Sequence, residues 1–102
     1  MSDDKKILRA VQHTPGDGHP DYIFWCPGCH CGHGVWVSPG KNVHTGATWG
    51  FNGNLEKPTF TPSLRIESEK PVCHVVVTDG VLHFCGDSGH ALAGRAVPME
   101  PF

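Results

Sequence analysis

Nowhere in the 102 residues does an apolar run approach the roughly 20 residues that a membrane-spanning helix needs. No membrane span is expected. The polar start Met1-Ser2-Asp3-Asp4-Lys5-Lys6 also lacks the apolar core of a secretory signal. It reads as a flexible tail, residues 1–6, on a soluble cytoplasmic protein. Charge is scarce: 18% of the chain is Asp, Glu, Lys or Arg, and the eight Lys and Arg are scattered under a formal net charge of −2. A general nucleic-acid binder needs a clustered basic face that displaces counterions from phosphates, so nucleic acid is not an expected partner. Long stretches of strong helix formers are missing too, because 13 Gly and 9 Pro interrupt the chain. This excludes the all-helical classes. The length leaves room for one core only, a single domain over residues 1–102.

What the chain does have is sulfur and imidazole, five Cys and eight His. In a reducing compartment an odd number of cysteines reads as thiolates and metal ligands sooner than as a disulfide framework. A chain this short also gains from a metal staple, since its apolar core is marginal by area.

The local patterns predict a mainly β domain of short antiparallel strands with one short helical turn. Residues 7–12 read as a short strand. Residues 22–25 lead as a strand into Cys26-Pro27-Gly28-Cys29, and residues 35–37 leave that loop as another. Asn52-Gly53 is a favoured hairpin pair. Residues 58–63 form a rigid Pro-bracketed segment, more a loop brace than a pocket wall, that continues through residues 64–66 as an edge strand. Residues 73–78 and 81–85 flank Asp79-Gly80, a two-residue turn that fixes the register. Val77 then faces Leu82, Val75 faces Phe84, and His74 faces Cys85. By strand alternation, Cys73, Val75, Val77, Leu82 and Phe84 share the core face, while His74, Val76, Thr78, Val81, His83 and Cys85 share a more polar one. Residues 86–94 read as the helical turn, capped by Asp87 or Ser88 and ended by Gly94, and residues 95–99 as the last strand. Trp25, Trp36, Trp49, Phe51 and Phe60 belong to the core, because Lys and Arg are not interleaved with them as a base-stacking platform requires.

Cys-x-x-Cys around Pro-Gly is zinc-knuckle spacing: the turn lets two thiolates converge on one tetrahedral ion. A redox pair would need a long helix in a βαβ setting, and here a Gly-rich strand follows instead. The site needs two further ligands. Cys73, at the start of a strand and on the buried face, is the third. His90, on the turn beyond the hairpin, and His33, four residues after Cys29, are the leading candidates for the fourth, ahead of His74. His74 and Cys85, opposed across the hairpin, could form half of a second site. Cys31, His13, His19, His30 and His44 are expected bystanders.

Together, Cys26-Pro27-Gly28-Cys29 with His33, Trp49-Gly50-Phe51-Asn52-Gly53, Lys57-Pro58-Thr59-Phe60-Thr61-Pro62-Ser63-Leu64, Cys73-His74, Asp79-Gly80 and Asp87-x-x-His90-Ala91-Leu92-Ala93-Gly94 resemble a family of small proteins of unknown function encoded by phages and prophages. The resemblance covers about residues 22–98. It implies a phage or prophage origin and a metal site, and it supplies no activity. The family pattern lacks Cys31 and Cys85, and it often has a cysteine where this chain has Ser88. The expected function is a non-enzymatic accessory protein of the host-cell cytoplasm, held together by a structural Zn²⁺ bound by four Cys and His side chains. Its partner is a host or phage protein. No catalytic residue is assigned. The alternative is a zinc-dependent hydrolase with an open metal position and Asp87 or a His as general base.

Overall fold

The computed structural model describes residues 7–14, 17–66 and 72–101; the expected tail, residues 1–6, lies outside them. Eight strands form two antiparallel sheets, and the described residues contain no helix. None is therefore long and apolar enough to cross a membrane. The first sheet has the order β1-β2-β3, with β1 Arg9–Ala10, β2 Tyr22–Cys26 and β3 Cys31–Val35. The second runs β4-β5-β6-β7-β8, with β4 Gly50–Phe51, β5 Phe60–Ile66, β6 Cys73–Thr78, β7 Val81–Phe84 and β8 Ala96–Pro98. A parallel bridge from Val37 to Trp49 connects the chain leaving β3 to the start of β4.

The β6–β7 hairpin has the expected register, with Val75 opposite Phe84, Val77 opposite Leu82 and Thr78 opposite Val81. Its turn residues Asp79 and Gly80 both take positive φ, 48° and 75°. That pair of angles defines the turn whose twist matches the flanking strands. One expectation is corrected. Residues 86–94 form successive turns rather than a helical one, with the Ala93 N–H donating to His90 O and the Arg95 N–H to Leu92 O. Segment 64–66 pairs with β6 as part of β5, and the β4 pairing reaches only Phe60 and Thr61, so this part of β5 has a strand partner on one side, as an edge does. A register shift between Phe60 and Leu64 absorbs Pro62.

One buried cluster joins the sheets. Phe24, Cys26 and Val35 come from the first, and Phe60, Leu64, Cys73, Val75, Val77, Leu82 and Phe84 from the second. Phe51 stacks on Phe60 with centroids 4.9 Å apart and also lies against Tyr22 of the first sheet. Of the five aromatics assigned to the core, Phe60 is fully buried, Trp49 and Phe51 pack against the cluster, and Trp25 and Trp36 are half-buried. Each fully buried Phe or Leu contributes roughly 1.5–3 kcal/mol. A cluster this small leaves the join between the sheets dependent on whatever else spans it.

Candidate active site and metal centre

Two adjacent residues of β6 serve opposite faces of the second sheet. Cys73 is fully buried and His74 points outward, as strand alternation requires.

On the inner side, one ligand atom from each of Cys26, Cys29, Cys73 and His90 lies within 4.8 Å of the others. The knuckle positions the first two: Pro27 to His30 reverse the chain between β2 and β3, the His30 N–H donates to Cys26 O at 2.8 Å, and the Cys29 N–H donates to Cys26 Sγ at 3.4 Å. Cys26 Sγ and Cys73 Sγ are 3.9 Å apart, close to the separation of about 3.8 Å that two thiolates take on one tetrahedral zinc. His90 arrives from the turns after β7. A Cβ at position 28 would overlap its imidazole, so only glycine fits there. Its Nδ1 lies 3.2 Å from the Leu92 nitrogen, and its ring stands edge-on to Phe84. His90 Nε2 is left buried with no hydrogen-bond partner. An orphaned imidazole nitrogen among three thiols is what a ligand set looks like.

The thiols interact strongly. The hydrogen bond from Cys73 pulls the Cys26 thiol down to about 3, assisted by His33 and the Cys29 N–H. Burial, and then the Cys26 charge, pushes Cys29 up to about 11, and the bond to Cys26 drives Cys73 well above the thiol range. One negative charge is therefore held where three thiolates would repel each other, and a divalent cation in their midst would let all three ionise.

His33 is not in this group. It is buried on β3 opposite Phe24, with its ring edge-on to that side chain and its Nε2 without a partner. It acts on Cys26 from outside. None of Cys31, His13, His19, His30 and His44 joins a convergent group among the described residues.

On the outer side, His74 Nε2 is 3.0 Å from Ser63 Oγ, and His74 Nδ1 is 2.9 Å from Asp87 Oδ1. A carboxylate can only accept, so Nδ1 carries the proton and Nε2 accepts from the Ser63 hydroxyl. The bond from His74, with Arg65 beside it, holds the Asp87 carboxyl below its usual range. Arg65 Nη1 donates to Asp87 Oδ2 at 3.0 Å. Ser63, His74 and Asp87 thus form a hydrogen-bonded Ser–His–Asp chain; the sequence drew attention to His74 and Asp87 but not to Ser63. Arg65 pairs with His74 across β5–β6, and Ser63 precedes the buried Leu64, which sets all three on the outer face. The Trp49 indole N–H donates to Ser63 O and anchors the strand behind the hydroxyl. A cavity of about 310 Å³ is lined by His33, Trp36 and Trp49 and, from β5, by Leu64, Arg65 and Ile66, the residues that follow Ser63.

Ser88 ties the relay to the metal group. Its hydroxyl donates to His74 O at 2.7 Å and accepts the His74 N–H at 3.1 Å. The Gly89 N–H donates to Val72 O at 2.7 Å. The loop that carries both Asp87 and His90 is thereby laced to β6. Ser88→Ala is expected to cost about 1–3 kcal/mol by stranding a buried N–H, measured by denaturant unfolding, and to lower any activity of the relay by misplacing Asp87.

The sequence matches the model of a family described as bacterial ubiquitination-like system serine protease (BubE) over residues 3–85. The matched span holds Ser63, His74 and the three cysteines of the metal group, and stops short of Asp87 and His90. No curated protein and no solved structure matches the chain.

Proposed function

This chain belongs to the bacterial ubiquitination-like system serine protease (BubE) family, and on that premise we propose that it is a serine peptidase acting through Ser63, His74 and Asp87. The observation that carries the reading is the pair of contacts on His74, 3.0 Å to Ser63 and 2.9 Å to Asp87. As Ser63 Oγ attacks the scissile carbonyl carbon, its proton passes to His74 Nε2. The imidazolium keeps its Nδ1–H on Asp87 and then gives the Nε2 proton to the leaving amine. Water, deprotonated by the same nitrogen, attacks the acyl-Ser63 ester and frees the acid product. Asp87 stays ionised throughout, which its lowered pKa favours.

The metal is then structural. Cys26, Cys29, Cys73 and His90 would supply all four ligands of such an ion and leave no position for substrate. Three thiolates with one imidazole suit Zn²⁺ best, and His33 offsets part of the thiolate charge beside Cys26. The zinc-hydrolase alternative, with Asp87 or a His as general base, also needs an open metal position, which a group of four protein ligands would not leave. The partner is accordingly the substrate, a protein of a bacterial ubiquitination-like system, and a prophage location in the host cytoplasm fits the reduced thiols.

A fluorophosphonate probe tests this. It phosphonylates only a serine whose proton is removed by a neighbouring base. Peptide mapping is expected to find the adduct on Ser63, with no adduct in Ser63→Ala or His74→Ala. Labelling elsewhere, or none, would sink the reading.

A further inference from the structure

The outer face holds a second group of ligand atoms that a peptidase does not need. Cys85 lies beside the relay, and one ligand atom each from His74, Cys85 and Asp87 falls within 4.8 Å of the others. Their convergence is built into the chain. Cys85 continues β7 one residue past Phe84, and its N–H donates to His74 O at 2.9 Å. Residues 85–88 then turn, closed by the Ser88 N–H on Cys85 O at 3.0 Å, and the turn swings Asp87 back over the same imidazole.

We propose that His74, Cys85 and Asp87 form a second, inhibitory Zn²⁺ site that switches off the relay; the inhibitory part rests on the peptidase reading above. A thiolate, an imidazole and a carboxylate are three ordinary zinc ligands, and three with a solvent-facing fourth position make a readily exchanging site. His74 and Asp87 are 24% and 54% exposed, so an ion reaches them directly from solvent. The Asp87 oxygen turned to Arg65 keeps its guanidinium partner while the other ligates. The consequence for the relay does not depend on which imidazole nitrogen binds. If Nε2 binds, its lone pair is on the metal and Ser63 has no acceptor. If Nδ1 binds, the remaining proton sits on Nε2, which can then no longer accept, and the hold of Asp87 on His74 is broken. The buried group of four differs in being closed, so the two sites separate by exchange rate and affinity.

The test uses the intact zinc-loaded protein in a non-chelating buffer. Equilibrium dialysis against micromolar Zn²⁺ is expected to raise bound zinc from one to two per chain in the wild type, while Cys85→Ser and Cys85→Ala stay at one. The retained first equivalent reports that both variants are folded. Peptidase activity is expected to fall as the second equivalent binds. The Zn²⁺ concentration for half-inhibition should rise at least tenfold in the Cys85 variants, since even an outer-sphere partner is worth roughly 10–100-fold in affinity. Equal zinc content in wild type and variants would overturn the site. A second equivalent lost in the variants, with no peptidase activity in any of them, would uphold the site and overturn the peptidase reading instead.

Discussion

Ser63→Ala is expected to lower kcat/KM for peptide-bond cleavage by about 10⁴-fold or more, the usual consequence of removing a relay nucleophile. The variant should retain its metal content and its unfolding transition. Ser63 is half-buried, and its hydroxyl is engaged by His74 on the outer face, so with folding retained the loss reports chemistry. His74→Ala should cost as much, and the double variant little more, because residues acting as one unit are not additive. Asp87→Asn should cost about 10⁴-fold in kcat, since an amide at Asp87 no longer fixes the imidazole tautomer. Steady-state kinetics on a peptide substrate checks all four. The pattern also separates mechanisms: a metal-activated water would leave Ser63→Ala nearly as fast as the wild type. That result would discard the relay.

The relay and the metal group differ in how legible they were. Cys26-x-x-Cys29 fixes two ligands by local spacing, and Asp79-Gly80 fixes which face Cys73 and His74 occupy. Both are short-range rules, and the structure follows them at Val75–Phe84 and Thr78–Val81. His90 could be favoured because the turns after β7 have little choice but to return toward the start of β6. Ser63 carried no such signal. It acquires a partner only when β5 pairs with β6, in a register that shifts between Phe60 and Leu64 around Pro62. The chain order Ser, His, Asp matches none of the three familiar hydrolase orders, so motif searching is blind to it. The supposed helical turn at 86–94 failed for a related reason. The Ser88 hydroxyl and the Gly89 N–H bond to His74 of β6 and to Val72 just before it, and not within a helix. Tertiary partners overrode a weak local preference.

Removing the metal is expected to unfold the protein outright. The ligands come from both sheets: Cys26 and Cys29 from the end of the first, Cys73 from β6, and His90 from the turns after β7. A structural zinc site carries an apparent binding free energy of about 10–16 kcal/mol, as large as or larger than the whole stability of roughly 5–15 kcal/mol that a typical domain has. Cys73→Ser should therefore show no cooperative unfolding transition at 25 °C, and a strong chelator should reproduce this in the wild type, both followed by circular dichroism and bound zinc. Partial stripping is the more informative regime. Cys73 and His74 are neighbours on β6, and His90 shares its loop with Asp87, so a chain losing its ion loses relay geometry as the sheets part. Activity, bound zinc and near-ultraviolet dichroism should fall together along a chelator titration. A protein that stayed folded and active after complete zinc removal would remove the tie between the sheets from the account, and Phe51 against Tyr22 and Phe60 would have to hold them instead.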